Sequence, residues 1–388
     1  MTVHDPELAT PTHRDGEKWA KAADGVLPAW VADMDFPVAP AIRRALIERI
    51  DTDLGYPAWF NEPDGAPLGE VYAARMHRRH GFPVEPTHVR LFTDVNQAIW
   101  VLLHLATEAG DAVAVHTPAC PPLLDVLHAA DRPARHVPMV SGRDGWGFDL
   151  ERLDRDLTRG DPARCRLVIL VNPHNPTGRV FSRTELEGLA ELVLRHDLLV
   201  LSDEVHADLA YAPHRHLPFA ALGAEIRRRT MTVTSASKAF NLAGVRCAVA
   251  HIGVPEVRAA LDAQRGLPYG QVGVLAVEAV RAAWTSGDAW LDGVRATLAV
   301  NRRILLEGLP AEIGHHPPEA TFLSWLDCRG LGVGADPAGF FEREAKVMLF
   351  SGPAFGPGGD GFVRLNFATD RGVLTEILHR IRGAVDRL

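Results

Sequence analysis

The strongest constraint on this chain is an alternation of two patterns. From about Ala66, short apolar runs exchange with amphipathic stretches of helical period. They predict helices over 67–80, 96–109, 123–130, 149–159 and 183–196, and strands over 112–116, 135–139, 167–171, 198–202, 231–234 and 246–252. Strands separated by helices cannot close as hairpins, so the order implies an α/β fold with a mainly parallel sheet covered on both faces. Further helices run to about Leu309, and then the pattern changes. Strands over 321–327, 347–350 and 361–367, with helices over 336–345 and 371–387, predict a smaller α+β lobe. Before the alternation lies an extended stretch followed by a helix over 40–50, whose Ala41, Ala45, Leu46 and Ile50 share a face. The expected organisation is an N-terminal arm and helix, 1–50, packing on the small domain, a large domain over 51–285 and a small C-terminal domain over 286–388.

Charge and composition narrow the partners. The formal charge is −8 over 388 residues, which offers no basic face for a phosphate backbone, so nucleic acid is excluded as a partner. The apolar run 98–106, interrupted by His104, is too short to span a bilayer, and residues 1–19 mix both charges without an apolar core, unlike a secretory signal. Cys120, Cys165, Cys247 and Cys328 have no paired spacing. A cytoplasmic protein with reduced thiols and no membrane association is expected. The pairs His77/His80, His214/His216 and His315/His316 lack an obvious third ligand, so no metal is expected.

The chemistry gathers at strand ends. The strand over 167–171 leads into Asn172-Pro173-His174-Asn175-Pro176-Thr177-Gly178, that over 198–202 into Asp203-Glu204-Val205-His206, and that over 231–234 into Ser235-Ala236-Ser237-Lys238. Ligands of open parallel sheets sit outside the carboxyl ends of strands, so these three ends should face one crevice. Of 41 basic residues only four are lysine, namely Lys18, Lys21, Lys238 and Lys346. An interior lysine in such a chain stands out, because its amine can lose a proton and attack a carbonyl as arginine cannot. Lysine, carboxylate, asparagine, serine and Arg246 together suit pyridoxal 5′-phosphate. A lysine forms a Schiff base, a carboxylate holds the pyridine nitrogen protonated, and serine with arginine binds the phosphate. Read singly, the Asn-Pro-Thr-Gly turn and an aspartate after a strand are ordinary turn and cap residues.

The chain resembles fold-type I pyridoxal-phosphate enzymes of the class I/II aminotransferase superfamily, in the branch of cystathionine β-lyase-like (MalY/PatB) carbon–sulfur lyases. The marks are Leu27-Pro28-Ala29-Trp30-Val31-Ala32-Asp33-Met34-Asp35-Phe36-Pro37, Gly55-Tyr56, Ser202-Asp203-Glu204-Val205-His206-Ala207-Asp208-Leu209, and Ala354-Phe355-Gly356 leading to Arg364-Leu365-Asn366-Phe367. The resemblance implies a large domain with a seven-stranded sheet and a homodimer with shared active sites. It implies that Lys238 carries the cofactor and moves the substrate α-proton, that Asp203 pairs with the ring nitrogen, and that Asn175 and His206 meet the ring 3′-oxygen. Ser235, Arg246 and the backbone N–H groups of Val95 and Asn96 would hold the phosphate, with Cys120 beside the ring. Arg364 would take the substrate carboxylate, with Ala32, Asp33 and Asn175 near the substrate, and Tyr56 would reach the neighbouring subunit's site. Asp33 and Asp35 read either as the substrate entrance or as caps.

Two departures from the family pattern bear on the substrate. Asp94 stands where the phosphate loop usually has a small residue, and a carboxylate there either opposes the phosphate or turns aside to cap the helix. Pro118-Ala119-Cys120-Pro121 replaces a setting that usually brings an aromatic over the ring; Cys120 reads as a small apolar wall, as room for a larger substrate, or as a reactive thiol. The expected activity is β-elimination from a small-molecule amino acid, an L-cysteine S-conjugate, to a thiol, pyruvate and ammonia. The alternatives are an aminotransferase, or a specialised natural-product enzyme of the lincosamide type that cleaves or decarboxylatively deaminates a bulky cysteine S-conjugate.

Overall fold

The computed structural model describes residues 15–59, 66–142, 145–159, 164–264 and 270–388. Residues 1–14, on which the reading of the N-terminus mostly rests, lie outside them. Its centre is a seven-stranded sheet in the order Val89–Phe92, Ala248–Ile252, Thr230–Thr234, Leu199–Asp203, Cys165–Val171, Ala112–Thr117 and Ala134–Pro138. All neighbours run parallel except Ala248–Ile252, which is antiparallel to both of its partners. Ala112–Thr117 is buried throughout, as a strand covered on both faces must be.

The strand Val89–Phe92 is not among the sequence expectations. It is four residues long and carries Arg90, whose guanidinium leaves the sheet to meet Asp262 at 2.8 and 2.9 Å. The expected strand over 246–252 begins only at Ala248, because Arg246 takes a left-handed conformation with φ 61°. In the small lobe, Thr321 (φ 72°) likewise delays the expected strand to Leu323–Asp327. The expected strand over 347–350 divides, Val347–Met348 pairing with Leu27–Pro28 and Phe350–Ser351 joining the small antiparallel sheet beside Phe362–Asn366. The helix expected over 336–345 is a short α-turn, Pro337–Phe340, widening into a π-turn, Phe341–Ala345.

The arm's extended part pairs with later strands, Leu27–Pro28 with Val347–Met348, and Asp35 N–H donates to Ala368 O at 2.9 Å. Its helix, Pro40–Ile50, packs chiefly against Val274–Ser286, burying Ile42. The Val274–Ser286 helix is apolar, with Ala276, Val277, Ala279, Val280 and Ala283 at buried positions. Among the described residues no helix is long and apolar enough to cross a membrane.

Candidate active site

Backbone register brings the three polar strand ends together. Val171 lies beside Asp203 across one ladder, and Asp203 beside Val233 across the next. The turn after Val171 closes at Gly178, where φ is 72° and an added Cβ would lie 2.5 Å from Pro318, so glycine is required. Its carbonyl accepts from Glu319 and Ala320, tying the turn to the small lobe. The resulting cavity, about 440 Å³, is lined by Ala32, Val95, Asn96, Cys120, Asn175, Asp203, His206, Ser235, Lys238, Arg246 and Arg364, among others. Of the expected site residues, Tyr56 and Asp33 are absent from this wall.

Two lysines are withdrawn from the surface, Lys18 fully and Lys238 in part, and their partners separate them. Lys18 Nζ is 2.9 Å from an Asp35 oxygen, a buried ion pair that removes Asp35 from any substrate entrance. Lys238 Nζ donates to the carbonyl of Ala32 at 2.9 Å, and burial drives its pKa below the ordinary lysine value. Asp203 accepts from Val205 N–H at 3.0 Å, while its second oxygen has no hydrogen-bond partner among the described residues. Burial raises its carboxyl to about 6. Glu204 points away, its oxygens taken by Ser202, His216 and the Phe219 N–H, so the adjacent acid has a structural part. His206 is buried and neutral, driven down to about 3 by desolvation, with an unpartnered Nδ1.

Arg364 is 4% exposed and rests between Phe350 and Phe355, 4.8 and 5.1 Å from their ring centres. It donates to Asn175 Oδ1 and Trp30 O, both at 3.0 Å, and its buried Nε has no partner. Because the Asn175 oxygen is committed to Arg364, its amide N–H groups are what it has left to offer a ligand. Desolvation lowers Arg364 to about 10, still charged at neutral pH.

At the far end, the helix Val95–Ala106 begins at the cavity. Asp94 is its N-cap, Oδ1 accepting from Gln97 N–H at 3.0 Å, as the cap reading requires. Its other oxygen lies 2.5 Å from Arg246 Nη2, so it faces the anion end as well. Ser235 Oγ donates its proton to Cys247 O at 2.7 Å and accepts from Ser237 N–H at 3.0 Å, which leaves it an acceptor in this arrangement. Ser237 also lines the cavity and is the serine that the strand-end reading passed over. Burial pushes the Cys120 thiol up to about 11, the state of an apolar wall and not of a nucleophile.

The Ala29–Phe36 stretch contributes mainly through its backbone. Asn366 Nδ2 donates to the carbonyls of Val31 (2.7 Å) and Asp33 (2.6 Å), Arg364 to Trp30, Lys238 to Ala32, and Asn241 to Met34 (3.1 Å) and Phe36 (2.8 Å). Asp33 thus enters through its carbonyl. Carbonyls are common to all residues, so no side-chain reading could have found this ladder. The whole cavity fits a flat aldehyde cofactor carrying a phosphate: a lysine amine with no ion-pair partner, an open carboxylate oxygen, amide donors and a helix start with an arginine at the far end.

Residues 32–381 match the family model described as aminotransferase class I and II. Cystathionine β-lyase PatB of Bacillus subtilis (strain 168) is 35% identical over 382 residues, 95% of this chain and 96% of that protein. The crystal structure of OvoB superposes with a TM-score of 0.90 at 36% identity, covering 98% of each chain. The PLP-bound C–S lyase from Staphylococcus hominis gives 0.87 at 26% identity over 95% of this chain and 97% of that one.

Proposed function

The chain belongs to the class I and II aminotransferase family, and on that premise we propose that it is a pyridoxal-phosphate-dependent carbon–sulfur β-lyase acting on an L-cysteine S-conjugate. The products are a thiol, pyruvate and ammonia. The observation that carries this reading is Lys238: a half-buried amine with a lowered pKa and no acidic partner within hydrogen-bond reach, sharing one cavity with an open Asp203 oxygen and the unpartnered Nε of Arg364. Bound pyridoxal phosphate supplies an electron sink for the charge left on the substrate α-carbon.

The protein's own residues arrange the rest. Arg364, fixed between two rings and two acceptors, presents Nε to a substrate carboxylate with no reorganisation of its own. Lys238 Nζ, once free, is the base that takes the α-proton, and the burial that lowers its pKa favours the neutral amine. Asp203 would pair with the ring nitrogen of the bound cofactor and favour its protonated form. Asn175 would donate to the ring 3′-oxygen beside His206, and the helix start at Val95 and Asn96 would hold the phosphate. Cys120, short and uncharged, leaves space where an aromatic ring would close the wall, which favours a bulkier S-substituent within the same reaction.

We further propose a cytoplasmic homodimer. The 84% exposure of Tyr56 on its own protomer, in a stretch with exposed Leu54 and Ile50, supports a reach into a partner's cavity. The test is an absorbance spectrum of the purified protein beside Lys238→Ala, with pyruvate detection on L-cystathionine and S-alkyl cysteines. A visible band lost with Lys238, plus pyruvate without any keto-acid acceptor, supports the lyase; a strict need for an acceptor would move the activity to transamination.

A further inference from the structure

We propose that Asp94 sets how tightly this chain holds the phosphate end of its cofactor, by weakening that hold. The inference rests on the cofactor reading above and goes beyond it to a residue with no part in that chemistry.

One carboxylate here makes two commitments. Oδ1 caps the helix through Gln97 N–H at 3.0 Å; Oδ2 lies 2.5 Å from Arg246 Nη2 and accepts from Thr93 Oγ1 at 3.3 Å. The cap prevents Asp94 from swinging aside without losing a helix-end hydrogen bond. Arg246 is the freer partner, its side chain 61% exposed against 19% for Asp94. Both residues line the cavity with Val95, Asn96, Ser235 and Ser237. The charge that should attract a phosphate is therefore already balanced by a carboxylate at the same spot.

A phosphate arriving here must share Arg246 with Asp94 or draw the guanidinium away from it, and in either case it sits close to a second negative group. Like charges at this separation oppose binding, and the low exposure of Asp94 limits how far water screens them. The Ser235 hydroxyl, engaged with Cys247 O, adds no donor unless it turns. The phosphate grip is left to backbone N–H groups and a shared arginine, and retention of the cofactor depends more on Lys238 at the other end. The result is a cofactor that exchanges with the surrounding pool more readily than a site with a small residue at position 94 would allow.

The experiment titrates the apoprotein with pyridoxal phosphate, following the visible band and the intrinsic fluorescence, for wild type and Asp94→Asn. Asparagine keeps the cap acceptor and removes the charge. The expected result is a dissociation constant about tenfold lower in the variant, the size of one like-charge contact in partly solvated surroundings, with slower cofactor loss on dialysis. Pyridoxal, which lacks the phosphate, should bind both proteins equally. Asp94→Ser, a second capping residue, should show the same gain if the asparagine variant folds poorly. Unchanged or weaker binding in both variants overturns the proposal, since Asp94 would then be orienting Arg246. An equal gain for pyridoxal overturns it too. Inorganic phosphate, read by thermal shift, separates the levels: tighter phosphate in the variants with no cofactor band in any of the proteins would sink the cofactor reading and leave the anion assignment standing.

Discussion

Lys238 Nζ and the carbonyl oxygen of Ala32 are 2.9 Å apart, and that carbonyl belongs to the Trp30–Phe36 stretch that also meets Arg364, Asn366 and Asn241. The amine is thus held by a neutral acceptor and by burial. A neutral partner steadies its position without tying up its charge, which is the condition for a lysine that must be able to lose a proton.

Lys238→Ala should abolish covalent retention of the cofactor. Borohydride treatment followed by peptide mass mapping should mark Lys238 in the wild type and no residue in the variant. Pyruvate release should fall by at least about 10³-fold, as loss of a nucleophile that is also the acid–base group demands.

Arg364→Lys keeps a positive charge but loses the planar fork that reaches Asn175, Trp30 and an incoming carboxylate together. Its KM for a cysteine S-conjugate should rise by about 10- to 100-fold, the worth of a charge-assisted pair, with the cofactor band unchanged. Steady-state kinetics beside an absorbance titration check both halves.

Asp203 links stability to pH. Its folded pKa is raised from 3.8 to about 6, so between those values the folded state holds more protons than the unfolded one. Stability of the apoprotein should therefore fall as pH rises from about 4 to 6, by an amount on the order of 3 kcal/mol at most. Asp203→Asn keeps an acceptor for Val205 N–H and cannot ionise. Its apoprotein should melt above the wild type at pH 8 and close to it at pH 4, while the holoprotein order at pH 8 reverses.

Asn366→Ala removes the donor to Val31 and Asp33 and the acceptor for Ala368 N–H. Three hydrogen bonds are lost, and the buried Ala368 N–H is left unpaired, a cost of about 3 kcal/mol, so the thermal midpoint should drop by several degrees. Asn366→Asp should be worse at pH 8, where an ionised carboxylate would face two carbonyls, and should recover on acidification; melting curves at both pH values decide it.

Cys120 should alkylate slowly. With its pKa at about 11, its thiolate fraction at pH 8 is roughly 100-fold below that of a free thiol, and iodoacetamide labelling read by peptide mapping should follow. Cys120→Ala should retain most of the lyase activity.

The site was legible in sequence where side-chain chemistry follows an apolar strand directly. Asn175, Asp203 and Lys238 each lie within four residues of the end of a sheet strand, and parallel register then brings them together. Three things were hidden. Arg90 disguised a sheet strand, because its charge pairs outside the sheet. Asp94 invited a choice between cap and anion wall, whereas its two oxygens serve both. The Trp30–Phe36 string looked important for Asp33 and Asp35, but its carbonyls do the joining, and Asp35 is occupied by Lys18. Backbone acceptors leave no trace in residue type.

The cavity also has a place in the order of synthesis. Trp30 and Arg364 are 334 residues apart, and Leu27–Pro28 pairs with a strand at Val347–Met348. A chain leaving the ribosome can assemble its parallel sheet long before either contact exists, since domains fold as their residues emerge. The arm must wait, unpaired, for nearly the whole polypeptide, and such distant closures come late and slowly. The same pairing that seats the Ala32 carbonyl against Lys238 therefore makes the active amine the last part of the protein to be enclosed, so a truncated chain would carry a formed sheet around an open, unshielded lysine.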